Sequence, residues 1–242
     1  KQGEAHEELM TRLDWLDTET AAYASGARFR YLKGPAALAH MKLMHRALEF
    51  AIERGFQPVV PPVMAREEIF THSGYFPFGR EDTFAVEDRF LVGTSEPMLL
   101  ALGHNRTFSE SDLPLRLVGF SSCFRREAGS YGKDTRGMFR QHQFDKVEVV
   151  SITTPERSEE EHQFLLSLQE EFTAQFDVPY QVVLIGSGDL GAPARKKYDI
   201  EAWYPSQEKY RETHSTSNCG DFQARGFNIK YRGSNGQEQY AH

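Results

Sequence analysis

Apolar residues recur at helical spacing in "GPAALAHMKLMHRALEFAIERGF", where Leu38, Met41, His45, Leu48 and Ile52 fall three or four positions apart. Pro35 suits a first helical turn and Gly55 a stop, so the pattern predicts one long helix between them. A second amphipathic helix is expected over "TTPERSEEEHQFLLSLQEEFTAQF", with Phe164, Leu165, Leu168 and Phe172 on its apolar side. Its glutamates crowd the amino end, where the helix dipole favours them and solvent is expected to bathe Glu159 to Glu161. "HEELMTRLDWLDTETAAYASG" reads as a short helix with a loop ending at Gly26, and "GTSEPMLLALGHN" as a turn entering a short helix. "FQPVVPPVM" is extended but carries prolines, which confines it to a sheet edge or terminus. Strand patterns follow in Phe84 to Leu91, "LPLRLVGFSSCFRRE", "GMFRQHQFDKVEVVSI", "YQVVLIG", "KYDIEAWYP" and "KYRETHSTS". Helices early, then a mainly antiparallel sheet interrupted by one long helix, make an α+β fold rather than alternating βαβ units.

Composition adds exclusions. The 242 residues are enough for one large domain with a sizeable core. A formal net charge of −7 counts against a nonspecific nucleic-acid binder and leaves room only for a local basic site. No apolar run approaches the ~20 residues that span a bilayer, and "KQGEAHEELM" lacks the apolar core of a signal peptide. Cys123 and Cys219 make no disulfide framework and no CxxC metal pattern, so the expectation is a cytoplasmic protein with two packed, reduced thiols. The nine histidines show no HExxH or similar ligand spacing.

One stretch resists a bland reading. In "CFRREAGSYGKDTRGMFRQHQFDKVEVV" two strand patterns flank a glycine-rich loop. Alternation places Arg140, His142, Phe144, Lys146 and Glu148 on one face of the second strand, and Cys123, Arg125 and Glu127 on one face of the first. Paired through the loop, these faces form a floor of arginines and glutamates around a phenylalanine. No ordinary core accepts that set, because unpaired buried charge costs several kcal/mol. Such a floor suits a phosphate ester plus an amine. Arg125 can fork onto phosphoryl oxygens, Phe144 can stack on a base, and a glutamate can hold an ammonium group. A solvated hairpin laced with cross-strand ion pairs is the alternative on pattern alone.

The stretch resembles the second signature motif of the class II aminoacyl-tRNA synthetases, and its "RQHQFDKVE" ending the seryl group in particular. The resemblance runs over nearly the whole chain. "LDTETAAYASGARFRYLKG" is similar to the family's entry to the catalytic domain, and "GFQPVVPPVM" to its first, dimerisation motif. "TSEP", "LPLRLVGFSSCFR" and "YDIEAWYPSQEKYRETHSTSNCGDFQAR" follow in the family's order. The resemblance implies an antiparallel sheet flanked by helices, activation of L-serine by ATP with Mg²⁺, and transfer of the seryl group to tRNA(Ser). It also implies a homodimer formed around Pro61 and Pro62. Two other readings are a synthetase-like ligase that charges a carrier protein, and a non-catalytic paralogue acting as a binding module.

Carried over by position, the resemblance gives Arg125 the α-phosphate of ATP, Glu127 the adenine amino group, Phe144 the adenine face and Arg140 a place in the same pocket. Glu148 would take the serine ammonium, flanked by Thr94 and Glu96 with Arg125 nearby. Glu212 and Ser215 would face metal and phosphate, making Arg125 and Glu212 the catalytic pair. Strand alternation sets Glu212 and Ser215 on opposite faces, so one of them is expected past the strand end. Residues 1–242 then read as a catalytic adenylation domain, incomplete at its C-terminal end. The family's third motif should follow "NGQEQYAH", and no heptads of an amino-terminal coiled-coil arm precede His6.

Some positions stay open. Thr94, Ser95 and Glu96 before Pro97 also fit a helix cap with an acidic first turn. Asp199 and Glu201 share a strand face and either bind a metal or pair with Lys196 and Lys197. Tyr131, Lys133, Asp134 and Arg136 either touch the acceptor end of tRNA or form a solvated loop, and His142 serves to orient its neighbours.

Overall fold

The computed structural model describes residues 3–128 and 138–242. Two short helices, α1 (His6–Arg12) and α2 (Glu19–Ser25), open the chain, with the brief strands β1 (Leu16–Asp17) and β2 (Tyr31–Leu32) paired between them and the helix that follows. That helix, α3 (Gly34–Ile52), has Pro35 in its first turn as expected. Next come β3 (Gln57–Val59), β4 (Met64–Arg66), α4 (Glu67–His72), the hairpin β5 (Ala85–Val86) and β6 (Arg89–Leu91), and α5 (Glu96–Leu100). The edge strand β7 (Thr107–Ser109) leads to the long pair β8 (Leu115–Phe124) and β9 (Gln143–Ile152). After α6 (Ser158–Thr173) the chain forms β10 (Tyr180–Leu184), β11 (Lys196–Tyr204) and β12 (Lys209–Asn218). It closes with α7 (Phe222–Phe227), β13 (Lys230–Arg232) and β14 (Glu238–Tyr240).

The strands separate into small sheets. β3–β8–β9 and β10–β11–β12 carry the long strands, and β4–β6–β5 and β7–β13–β14 flank them. Most pairings are antiparallel, but β3 on β8 and β7 on β13 run parallel. β3 lies at its sheet's edge, where Pro58, lacking an N–H, is tolerated. Among the described residues no ladder joins β9 to β12. Their outer edges instead line a cavity of about 160 Å³, roofed by α6.

Alternation along β8 feeds two cores. Leu117, with its register partner Val150, packs with Leu99, Phe227 and Ile229, while Val118 faces the other way against Phe50, Phe56 and Leu165. The face that is core at Leu117 becomes the charged floor toward Cys123. α3 meets the second core through Phe50 and Ala51. The apolar stripe that marks the helix is largely outside: Leu38, Met41 and Ile52 are 53%, 67% and 40% exposed. This helix is apolar on more than one side, and its carboxy-terminal Phe50 and Ala51, held by the core beneath Val118, decide which side is inward.

Two further expectations are corrected. Glu161 is not part of a solvated face. It is buried, and Arg116 donates to both its oxygens at 2.6 and 3.1 Å while Ser151 Oγ donates at 2.8 Å. Glu159 pairs with Lys196 at 2.5 Å. Glu212 and Ser215 both lie within β12, because the register shifts by one residue between Ile200 and Glu201. Ser215 opposes Asp199 and Glu212 opposes Glu201, which leaves Thr213 as the extra residue of a β-bulge. One inserted residue reverses the parity of everything beyond it, so all four side chains share a face.

Two outcomes follow from this packing. α7 crosses α4 so closely that a Cβ on Gly226 would lie 2.1 Å from the His72 carbonyl oxygen. Gly226→Ala is expected to cost about 2 kcal/mol or more in urea unfolding, since backbone cannot move aside as a side chain can. Burial alone would raise the Glu161 pKa, but the hydrogen bonds from Arg116 and Ser151 outweigh it and hold it below the ordinary value. Its contribution is therefore present above the pKa of an unfolded glutamate and is lost as pH falls through its lowered folded value. Glu161→Gln should cost about 3 kcal/mol at neutral pH by leaving Arg116 unmatched. The gap to the parent should close below about pH 4 in pH-dependent denaturation, as the parent's own carboxyl protonates.

Candidate active site

The β8–β9 register pairs Cys123 with Phe144, Ser121 with Lys146 and Gly119 with Glu148, so these side chains rise from one face. Gly119 sets the depth of what lies above. A Cβ there would stand 3.1 Å from Ser95 Oγ and 3.2 Å from Leu99, so a glycine lets the start of α5 sit close on the floor without displacing either side chain. That approach brings Thr94 to Glu148. Thr94 Oγ1 donates to Glu148 Oε2 at 2.6 Å, Lys146 Nζ reaches the same oxygen at 2.5 Å, and Lys146 also donates to Thr94 Oγ1 at 3.0 Å. The helix-cap alternative for this stretch is not what the side chains do: neither Ser95 nor Thr94 caps α5, and Ser95 Oγ is buried without a partner.

Glu96 lies deeper. It accepts from Gln223 Nε2 at 2.5 Å, and Gln223 also donates to the Ser73 carbonyl at 3.0 Å. Burial, then the nearby Glu148 carboxylate, push the Glu96 pKa up against the opposing effects of Gln223 and Lys146. Cys219 lines the same cavity and burial raises its thiol pKa, as it does for the buried Cys123. Both cysteines are unpaired, as expected.

Arg125 stands just past β8, where its N–H bonds to the His142 carbonyl at 3.0 Å and extends the ladder by one step. Its Nη2 donates to the Gly93 carbonyl at 3.2 Å, its guanidinium centre sits 5.3 Å from the Phe144 ring centroid, and its Nε is buried without a partner. His142 Nδ1 donates to the Arg125 carbonyl at 2.9 Å, which is the orienting role expected of it. Glu127 adopts a left-handed backbone (φ 53°) and pairs with Arg140 at 2.9 Å. Asp82 fixes this turn from outside: its carbonyl accepts from Arg126 N at 2.8 Å and its Oδ1 from Ala128 N at 3.0 Å. Arg125 and Glu127 therefore follow the strand, and Arg140 and His142 precede the other, where simple alternation had put all four inside. Tyr131, Lys133, Asp134 and Arg136 lie outside the described residues.

The second sheet faces this floor. Glu212 has its pKa raised by burial and by Asp199, against the opposing fields of Lys197, Arg125 and Lys146. Carboxylates on β11–β12 and cations of β8–β9 thus share one space. Asp199 pairs with Lys197 at 3.0 Å, one of the two lysines expected, whereas Glu201 accepts from Gln181 at 2.7 Å and Lys196 pairs with Glu159. Among the described residues no cluster of three or more His, Cys, Asp or Glu could hold a metal alone. An under-compensated Glu212 with a hydroxyl neighbour on the same face nevertheless suits a hard cation whose other ligands are phosphate oxygens.

Three contributors escaped the sequence reading. Lys146 was placed on the floor without a role. Gln223 stood unassigned within "CGDFQAR". Tyr75, whose hydroxyl a side chain on Gly93 would strike at 2.8 Å, carried no motif at all. Only Lys146 had a usable signal, since a lysine two residues from a glutamate on a strand shares its face.

Residues 82–242 match the family described as the tRNA synthetase class II core domain (G, H, P, S and T). The chain is 47% identical over 238 residues to the serine–tRNA ligase of Mycobacterium marinum, covering 98% of this chain and 57% of that protein. It is 47% identical over 233 residues to that of Acidothermus cellulolyticus, covering 96% and 56%. The seryl-tRNA synthetase of Pyrococcus horikoshii, complexed with ATP, superposes with a TM-score of 0.96 at 43% identity, over 100% of this chain and 55% of that one. The cytoplasmic serine–tRNA ligase of Naegleria fowleri with AMP gives 0.92 at 34% identity, over 98% and 57%. The chain spans a little over half the length of the relatives it matches. With the family match covering most of its length and a site of the expected composition, the chain belongs to the class II aminoacyl-tRNA synthetases.

Proposed function

We propose that this chain is the adenylating core of a serine–tRNA ligase, binding ATP and L-serine and passing the seryl group to tRNA(Ser). The observation that carries the reading is the order along β9: an aromatic platform with Arg125 over it at Phe144, then an ammonium acceptor at Glu148 two alternate positions on. Adenine stacks on Phe144, and Glu127, steadied by Arg140, reads its amino group. Serine places its ammonium against Glu148, Thr94 and Glu96. Its carboxylate oxygen then bonds to the α-phosphorus as the bond to the bridging oxygen of pyrophosphate breaks in line. Arg125 has one donor on Gly93 and others to spare, so it meets the growing charge on the α-phosphoryl oxygens without having to reorganise. Glu212, with Ser215 beside it, would hold Mg²⁺ against the phosphates, and the ion would neutralise charge on the leaving pyrophosphate. In the second step the terminal ribose hydroxyl of tRNA attacks the acyl carbon and AMP departs.

His242 and Thr153 exchange both backbone hydrogen bonds at 2.9 Å beside the cavity between β9 and β12. Thr153 Oγ1, His162 Nδ1, Gln169 Oε1 and His242 Nδ1 all line that cavity without partners. Dimerisation is assigned to the segment around Pro61 and Pro62, beside which Val60 is 90% exposed. No helix among the described residues is long and apolar enough to cross a membrane; it is the proposed tRNA substrate that assigns the activity to the cytoplasm.

Amino-acid-dependent ATP–pyrophosphate exchange tests the reading: serine should support it and threonine, alanine and glycine should not. Exchange with none of them, from folded protein that binds ATP, would defeat it. Arg125→Ala should lower exchange by about two to three orders of magnitude with an unchanged melting curve. Glu148→Gln should raise the serine KM about tenfold or more while the ATP KM barely moves; equal effects on both would remove the ammonium role.

A further inference from the structure

Three carboxyl-bearing or cationic groups meet where the amine is placed, and they are not equivalent. Glu148 is already matched, since one of its oxygens takes both Lys146 Nζ and Thr94 Oγ1. Lys146 is thereby committed to Glu148 and Thr94. Glu96 has no such cation. Its hydrogen-bond partner is the neutral amide of Gln223, on one oxygen only. The other titratable groups facing it are Glu148 and Lys146 from β9 and the Cys219 thiol from the turn before α7. Glu96, Lys146, Glu148, Cys219 and Gln223 all border one cavity.

An ionised carboxylate in that position has no cation of its own, since the nearby Lys146 is already paired with Glu148, and a largely buried charge without a direct counter-ion is costly. The empty pocket therefore balances only if Glu96 is a neutral acid: Glu148 and Lys146 cancel, and Glu96 contributes nothing. Adding one substrate ammonium makes the neutral acid the wrong state. The set of two carboxylates, one lysine and one ammonium balances only when both carboxylates are charged.

We propose that the amino-acid substrate's ammonium binds as a proton leaves the Glu96 carboxyl for bulk water, so that filling the pocket and charging Glu96 are one event. Gln223, anchored on Ser73, holds the carboxyl in place while its charge changes. The ammonium keeps all three of its protons, and no group other than Glu96 changes its proton count. This inference rests on the reading that the pocket takes an amino acid. It makes Glu96 a specificity residue of a particular kind: a ligand without a positive amine cannot release the proton and gains nothing from Glu96.

The test is calorimetric titration of L-serine into wild-type protein between about pH 5.5 and 7, in buffers of differing ionisation enthalpy. Serine's amine stays charged across that window. The expected result is release of a proton approaching one per serine bound, with affinity rising up to about tenfold per pH unit. Glu96→Gln should abolish both the release and the pH slope while ATP binding persists, and 3-hydroxypropionate, which lacks the amine, should release nothing. Carboxyl ¹³C spectra of the empty protein, with Glu96 assigned by the variant, should find Glu96 protonated at pH 6. Serine binding with no proton exchanged and a flat pH profile would overturn the proposal and leave the serine reading intact. No serine binding by protein that binds ATP would overturn the serine reading, and this proposal with it.

Discussion

Glu148 stands opposite a residue with no side chain. Because Gly119 presents no Cβ, the turn before α5 descends onto the strand pair until Thr94 touches Glu148, and Glu96 is carried inward to meet Gln223. A side chain at position 119 would press on Ser95 and Leu99, and any shift of α5 that relieved it would move Thr94, Ser95 and Glu96 together, because they are consecutive. The same helix delivers Leu99 and Leu100 to the main core. Site and core are thus coupled through one close contact, and the site is only as well defined as the packing of α5 on β8. Groups placed by core packing need no reorganisation when a ligand arrives, which is where electrostatic stabilisation is most effective.

The charged floor shows how two residue alternations cooperate. Leu117 and Val150 occupy the same face as Cys123 and Phe144, so a single face passes from dry core to ligand surface within a few residues. Burial of that face's apolar end fixes the register, and the register fixes where the charges stand. A slip of one residue would turn Phe144 and Glu148 away from the site. The opposed charges that stand out in the sequence are therefore not a liability spread over two strands. They sit at one end, each matched in part, with Arg125 left holding unused donors and Glu96 left without a cation.

Much of this was legible from residue order. The long helices, the strand pair around the glycine-rich loop and the grouping of Phe144 with Glu148 follow from periodicity alone, and the family resemblance assigned their chemistry. What escaped depended on single residues whose effect is not periodic. Thr213 adds one residue to β12 and restores Glu212 and Ser215 to one face, which no alternation count can foresee. Glu161 looks like any glutamate at a helix start, and only Arg116, distant in sequence, makes it a buried partner. In α3 the helical period was legible but the inward side was not, because Phe50 and Ala51 answer to a core formed by β8 and α6. Gln223 had no signal, since its role exists only where α7 is folded against α4 and α5.

The separation of the two main sheets places the chemistry at their meeting. Cations come from β8–β9 and its flanks, and Glu212 comes from β12, so a substrate carrying both phosphates and an amine must bridge them. Arg125 and Glu212 already sense one another, the arginine opposing the rise in the glutamate's pKa. On the proposed function, a bound polyphosphate would sit between them with a cation, satisfying the arginine directly and the glutamate through the metal. An amine bound at the other end of the floor would then do for Glu96 what that metal would do for Glu212. Both ends of the candidate site hold a carboxylate without a direct cationic partner, and on this proposal the missing positive charge in each case is the one a ligand would bring.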